Sequence, residues 1–259
     1  MIDLHCHIPP GVDDGPATLE DSIALARAAL LDGKGTVVAT PHMTEGTTAR
    51  LAVETRERAS VLAAELSQRG IQLQLFTGLE VYLTRETPWL YGNGQLLTLN
   101  GSRYILVEFP RQMVPLHAEE AIFELQLQRL VPVIAHPERN SQVAADPGIL
   151  KRLVERGAVA QVTAGSLVGW YGNRVQRAAE SLVKQGMIQV IASDAHSATD
   201  RPPLLRAAAG RAVKLIGEEA ALAMVTTVPA AILADKEIEP PEPRQAARRS
   251  WFSILRLRG

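Results

Sequence analysis

The chain has 259 residues, 27 basic against 28 acidic side chains, and 46% apolar residues. That apolar supply suffices for one large core and excludes a disordered chain, while the balanced charge argues against a protein that coats nucleic acid. The single cysteine, Cys6, excludes an intramolecular disulfide framework and any multi-cysteine zinc ribbon.

Strand and helix signals alternate from the N-terminus onward. Ile2–Leu4 is a first strand candidate. Thr18 with Asp21 resembles a capping box in which Asp replaces the usual Glu. Leu19–Leu31 then sets Ile23, Ala26 and Leu30 on one helical face. Thr36–Thr40 is a strand. Arg50–Arg69 is a helix that stops at Gly70, a C′ residue. Ile71–Thr77 alternates apolar and polar, as a strand near an edge or facing a polar interior does. There follow strand Tyr104–Glu108, helix Ala118–Arg129, strand Val131–Ala135, helix Pro147–Arg156, strand Ala158–Thr163, helix Arg174–Gln185, strand Ile188–Ser193, and helices Pro203–Leu215 and Glu218–Met224. Several strands are nearly continuous aliphatic runs, which suits parallel strands covered on both faces. The alternation implies a parallel α/β fold, and a closed or distorted (β/α) barrel suits the site residues below better than an open sheet.

After residue 235 the composition changes. Ile238-Glu-Pro-Pro-Glu-Pro-Arg244 is a stiff linker, and Ala246–Gly259 is short, basic and apolar, with Trp251 and Phe252 among its arginines. Residues 1–235 are expected to form the domain and 236–259 a linker and tail. The tail is either a frayed end or a docking segment for a partner or an anionic membrane surface. The opening residues resemble no signal peptide and no run is long enough to span a bilayer, so the expected compartment is the cytoplasm, with the inner membrane face as a candidate contact.

Histidines carry the chemistry. Five of the six, His5, His7, His42, His136 and His196, fall at or just past the C-terminal end of a predicted strand, the edge where parallel α/β folds bind ligands. His117, at a helix start, stands apart. His5-Cys-His7 and Asp194-Ala-His196 each place two ligand types on the same side of an extended chain. Glu80 and Glu108 close strand-like runs, where a buried charge is costly unless paired or metal-bound. Asp13 and Asp14 lie in a Gly/Pro-bounded turn, and one of them is expected to be only a turn residue. Mixed His and carboxylate ligation favours Mn, Fe or Zn over calcium, and so many candidates suit a cluster of two or three divalent ions. Cys6, between two ligand positions, is turned away from them and reads as a small buried side chain. Arg139 and Arg201 directly follow ligand positions, where forked guanidiniums can hold phosphate oxygens.

In order along the chain, His5-Cys-His7 with Val12-Asp-Asp-Gly-Pro16, Thr40-Pro-His42, Gly78-Leu-Glu80, Tyr104-Ile-Leu-Val-Glu108, Ala135-His-Pro-Glu-Arg139 and Ala192-Ser-Asp-Ala-His196 through Arg201-Pro-Pro resemble the PHP (polymerase and histidinol phosphatase) family of metal-dependent phosphoesterases, over residues 1–234. Within it they resemble the bacterial protein-tyrosine phosphatases of capsule and exopolysaccharide operons. The resemblance implies a distorted (β/α)7 barrel, TIM-like, with a trinuclear centre, commonly of manganese. It implies His5, His7, Glu80 and Asp194 around one ion, Glu80, Glu108 and His136 around a second, and Asp14, His42 and His196 around a third, with Arg139 and Arg201 on the substrate phosphate. Cys6 stands where the family often has Ser, and the segment after His42 lacks the usual basic start.

The expected activity is therefore hydrolysis of phosphotyrosine on a protein, a bacterial tyrosine autokinase of polysaccharide export being the candidate partner. Metal-activated hydroxide would attack phosphorus, with no covalent phosphoenzyme and with His42 or His196, together with bound water, as the proton source. The rival readings are a small-molecule phosphatase such as a histidinol phosphatase, and a catalytically silent interaction module. A nuclease fits poorly, since no basic groove is evident.

Overall fold

The computed structural model describes residues 1–44 and 50–238. Among them lie nine strands: β1 (Ile2–Cys6), β2 (Thr36–Ala39), β3 (His42–Met43), β4 (Gln74–Thr77), β5 (Glu80–Tyr82), β6 (Tyr104–Glu108), β7 (Val131–Ala135), β8 (Val159–Thr163) and β9 (Val190–Ala192). All their pairings are parallel. Hydrogen bonding orders them as β1-β2-β4 and β3-β5-β6-β7-β8-β9.

These two sheets are arcs of one ring. Pro41 has no N–H to give to a ladder, and with Thr40 it separates β2 from β3. Gly78 and Leu79 separate β4 from β5 in the same way. Pairing nevertheless crosses both breaks, because Gly78 N donates to Ala39 O (2.8 Å) and Glu80 N to Pro41 O (3.1 Å). The ring closes where β9 meets β1: Cys6 bridges Ala195, Asp194 N donates to His5 O (2.8 Å) and His7 N to Ala195 O (2.9 Å). With β2–β3 and β4–β5 each taken as one interrupted strand, the described residues form the expected distorted seven-stranded barrel.

Helices α1 (Leu19–Leu31), α2 (Arg50–Gln68), α3 (Thr87–Gly92), α4 (Ala118–Leu127), α5 (Ser141–Ala145), α6 (Gly148–Glu155), α7 (Ala164–Leu167), α8 (Asn173–Lys184), α9 (Leu205–Ile216), α10 (Glu218–Ala223) and α11 (Thr227–Leu233) fill the connections. The Thr18–Asp21 capping box forms at α1 with both reciprocal bonds, and Gly70 after α2 has φ +66°, a left-handed residue where no side chain clashes. Leu30 is only half-buried; Leu25 and Ala29 join Ile23 and Ala26 in its place. The alternating Ile71–Thr77 stretch yields β4, the last strand of its sheet. The sequence reading lacks β3, β5 and helices α3, α5, α7 and α11, elements of two to seven residues, too short to show a period.

Side chains alternate across the barrel wall. Val38, Tyr104, Leu106, Val133, Ala135, Val159, Val190 and Ala192 face the interior, with Leu99 and Ile232 sealing one end. Ile105, Val107, Ile134, Ala160, Val162 and Ile191 face outward to the helices. β1 departs from this alternation. Leu4 joins the interior cluster while Cys6, two residues on, packs outside with Ile23, Leu25 and Leu62. The cause is a register shift between Asp3 and Cys6 against β2; a bulge of this kind re-aims the following side chains. It turns His5 and His7 inward. No helix among the described residues is long and apolar enough to cross a membrane. The expected tail, Ala246–Gly259, and all but Ile238 of the linker lie outside the described residues.

Candidate metal centre

The site is the upper continuation of the barrel interior. Along each strand the inward positions are aliphatic at one end and become ligand types at the other: Leu106 then Glu108, Ala192 then Asp194, Val38 then Thr40 and His42. Gly78 sits on the same inward row below Glu80, where a Cβ would lie 3.0 Å from the Leu99 side chain. His136 and Asp194 reach the mouth through left-handed backbone, φ +33° and +53°, a conformation L-residues adopt at a cost.

Around the first position, His5 Nε2 and His7 Nε2 are 3.1 Å apart. Glu80 Oε2 lies 3.3 and 3.4 Å from them, and Asp194 Oδ1 3.5 and 3.4 Å. An ion held by four ligands at about 2.0–2.1 Å requires ligand atoms about 3.3–3.4 Å apart, so these spacings suit a cation. Glu80 Oε1 lies 2.7 Å from His136 Nε2, and Glu108 Oε1 3.7 Å from it. Asp14 Oδ1 lies 3.1 Å from His196 Nε2 and 3.5 Å from His42 Nε2. His42 faces two groups at once, since its Nδ1 is 2.8 Å from Glu80 Oε2 and 3.8 Å from Glu108 Oε2. His7 likewise adjoins the Asp14 group, its ring stacked on His196 at 3.7 Å. All nine sequence-derived ligand candidates thus converge, and His117 does not join them.

The donor set fits metal ions. His42 Nδ1, Glu80 Oε2 and His196 Nε2 are buried without a hydrogen bond of acceptable geometry, and buried polar atoms are rarely left so. Two imidazole Nε2 atoms at 3.1 Å need a proton or cation between them. The other ring nitrogens are held from behind: His5 Nδ1 lies 2.9 Å from Gln161 Oε1, and His7 Nδ1 2.5 Å from Asp13 Oδ2. Such partners fix the tautomer and leave Nε2 free to ligate. Asp13 is thereby more than a turn residue, since it also accepts from His42 N (2.9 Å) and Gly15 N (3.0 Å).

Electrostatics follow from this crowding. Burial opposes charge on His5 and His7, yet their carboxylate neighbours outweigh it and raise both pKa values. Burial would push Glu80 and Asp194 up, but the surrounding imidazoles hold both well below the carboxylate range. Glu108 goes the other way, raised by burial and by the Glu80 charge.

Both arginines border the cluster. Arg139 Nη1 lies 2.5 Å from Asp194 Oδ2, and its guanidinium rests 4.7 Å from the centre of the Tyr171 ring. Arg201 Nη2 is 3.1 Å from both Asp194 oxygens, and Nη1 3.3 Å from Asp14 Oδ2. Between His136 and Arg139, the buried Glu138 accepts from Thr163 N (3.0 Å) and Ser166 Oγ (2.6 Å), tying this segment to β8 and α7. Cys6 is buried, and burial raises its thiol pKa well above the usual value.

The profile of the family described as "Capsular polysaccharide synthesis, CpsB/CapC" matches residues 1–234. The chain belongs to the CpsB/CapC family. It is 38% identical over 255 residues to the tyrosine-protein phosphatase YwqE of Bacillus subtilis, covering 98% of this chain and all of that one. It is 31% identical to the putative tyrosine-protein phosphatase CapC of Staphylococcus aureus, over 98% of this chain and all of CapC. A crystal structure of YwqE, described together with CpsB from Streptococcus pneumoniae as unique metal-dependent tyrosine phosphatases, superposes with a TM-score of 0.89 at 39% identity, over 95% of this chain and all of that one.

Sequence reasoning missed Gln161, Glu138, Tyr171 and Arg111 around the CpsB/CapC site. Gln161 had a signal: it is the one amide in the apolar run Ala158–Val162, and its parity puts it on the inward row. Arg111 and Tyr171 lie in irregular segments, where no pattern marks them.

Proposed function

We propose that the chain is a metal-dependent protein-tyrosine phosphatase of capsular or exopolysaccharide synthesis. The observation that carries the reading is the convergence of His5, His7, Asp14, His42, Glu80, Glu108, His136, Asp194 and His196 in one pocket with Arg139 and Arg201 at its edge. The names borne by its full-length relatives supply the substrate class, and they favour phosphotyrosine over a small metabolite or a silent module.

The three groups of ligand atoms suit up to three divalent ions, with manganese the first candidate and Fe or Zn next. When bound, these ions supply positive charge toward the phosphoryl oxygens and lower the pKa of water. Arg139 and Arg201 hold the phosphate, and their forks stabilise charge on its outer oxygens. Tyr171 stacked on Arg139, and Glu138 anchoring the backbone before it, orient that guanidinium. The phenolate leaves with a pKa of about 10, so it needs little protonation. Of the two candidate proton sources, His42 has the readier path to solvent, 26% exposed against 3% for His196. In this reading the substrate is the Tyr-rich tail of a tyrosine autokinase of polysaccharide export, met in the cytoplasm; the family's description as capsular polysaccharide synthesis supports it. The Trp/Arg tail beyond residue 245 would dock to the partner or to the inner membrane face.

The test is metal analysis of the purified protein beside hydrolysis of a phosphotyrosine peptide and of histidinol phosphate, with manganese and with chelator. Manganese-dependent, chelator-sensitive turnover of the peptide is expected. Metal-loaded protein that leaves the peptide intact, or prefers histidinol phosphate, overturns the reading.

A further inference from the structure

Beside the metal pocket lies a cleft of about 380 Å³ lined by Arg111, Arg139, Tyr171, Val175 and Arg201. Two of its three guanidiniums face the metal pocket, Arg139 paired with Asp194 and Arg201 with Asp194 and Asp14. Arg111 is exposed and makes no side-chain hydrogen bond or ion pair among the described residues. Its backbone is nonetheless fixed against the Arg139 segment: Ser141 N donates to Arg111 O (2.8 Å), Asn140 Nδ2 to Pro110 O (2.6 Å), and Val114 N to Gln142 Oε1 (2.9 Å). The facing wall is equally constrained, because Tyr171 packs so closely on Gly165 that a Cβ there would lie 2.9 Å from its ring.

The cleft on the other side of Arg201 has the opposite character, with Asp14, Asp21 and Asp200 in its lining. A polypeptide whose phosphate sits between Arg139 and Arg201 therefore meets carboxylates on one side and, on the other, a guanidinium with no partner among the described residues. We infer that Arg111 is a specificity residue, which takes a second anionic group of the substrate polypeptide, a carboxylate or a second phosphate close to the scissile phosphotyrosine. The inference rests on the phosphatase reading and adds its sequence preference.

Full-length protein in manganese is assayed on short phosphotyrosine peptides with neutral flanks, with an aspartate beside the phosphotyrosine, and with a second phosphotyrosine nearby. The quantity read is kcat/KM relative to the neutral peptide for the same preparation, so a general loss in a variant cancels. The wild type should favour anionic flanks by about two- to five-fold, the range of an exposed ion pair. The preference should shrink with added salt, vanish in Arg111→Met, invert in Arg111→Glu and survive in part in Arg111→Lys. A larger gain from the second phosphate assigns the subsite to multiply phosphorylated segments, and a larger gain from aspartate assigns it to acidic ones. Active wild type and Arg111→Glu with the same ratio on every peptide overturn the inference while leaving the phosphatase reading intact. Metal-loaded wild type that cleaves none of the peptides overturns both.

Discussion

Asp13 offers the sharpest test of how the centre is held. Its carboxylate accepts from His7 Nδ1 at 2.5 Å, from His42 N at 2.9 Å and from Gly15 N at 3.0 Å, yet it touches none of the inferred ion positions. Asp13→Asn keeps an acceptor but removes the charge. A charge-assisted bond is worth about 1.5–3 kcal/mol against about 0.5–1.5 for a neutral one, so roughly 1 to 1.5 kcal/mol should be lost. That is about ten-fold in affinity. Asp13→Ala frees the His7 ring as well as both backbone donors, and should approach the upper end of outer-partner effects, about a hundred-fold. Calorimetric titration of manganese into chelator-stripped protein reads the affinity, with circular dichroism to verify folding. Asp14→Asn should differ in kind by lowering the number of ions bound, because Asp14 Oδ1 itself points at His42 and His196. Folded Asp13→Asn and Asp13→Ala that bind manganese as tightly as the wild type would refute the reasoning.

The remaining predictions concern the other parts of the site. Asp194→Ala should deplete bound metal and abolish turnover, while Arg139→Ala should retain metal and lose about 10²–10³ in kcat; elemental analysis beside para-nitrophenyl phosphate hydrolysis separates the two, and full activity in both variants would defeat the assignment. Cys6, buried with a raised thiol pKa, should resist iodoacetamide in the folded enzyme, and metal-loaded Cys6→Ala should turn over; an inactive but metal-loaded variant would point to a covalent route. For chelated protein, the raised pKa values of His5 and His7 give stability that is complete below about pH 6.5 and lost as pH rises through the folded values, whereas depressed Glu80 and Asp194 give stability present above about pH 4 and lost on acidification. Its Tm should therefore fall from pH 6 to pH 9, and manganese, which competes with those protons, should remove the fall; parallel Tm curves with and without metal would contradict this.

The parts of the fold that could be read from the sequence are those with a period. Seven strand candidates and seven helices were legible because aliphatic runs or helical faces spanned them. Ile2–Leu4 stopped short of Cys6 because His5 interrupts the apolar run; Asp3, inside the run, is accommodated by Ser193, which donates from N at 2.9 Å and from Oγ at 2.5 Å. β3 and β5 were invisible for a different reason: each is only the far side of a break, at Pro41 or Gly78, and takes its strand geometry from the neighbour it pairs with. The ligands themselves were legible because imidazoles and acids ending apolar runs are costly to bury and so stand out. What holds them was less so. Gln161 and Glu138 act on partners 156 and 25 residues away in sequence, a relation that a local pattern cannot show.

The two left-handed ligands show how such a site is kept in register. A residue at positive φ without glycine's freedom costs about 1–3 kcal/mol, and His136 and Asp194 both accept this cost. His136 follows directly on the last residue of β7 and Asp194 lies two residues beyond β9, so the positive φ redirects the chain where each strand ends. The surroundings enforce the turn. At His136, Arg139 N donates to His136 O (2.9 Å) and Asn140 N to Pro137 O (3.1 Å), closing a tight turn of 3₁₀ geometry over Pro137–Arg139. At Asp194, the N–H is taken by His5 O at 2.8 Å, and Ser193 is clamped by Asp3. The same bond that closes the barrel between β9 and β1 therefore sets Asp194 opposite His5 and His7. Barrel closure and the placing of the first ligand group share this bond, so a change that loosens the β1–β9 seam should weaken metal binding; a folded seam variant that binds manganese as tightly as the wild type would refute this.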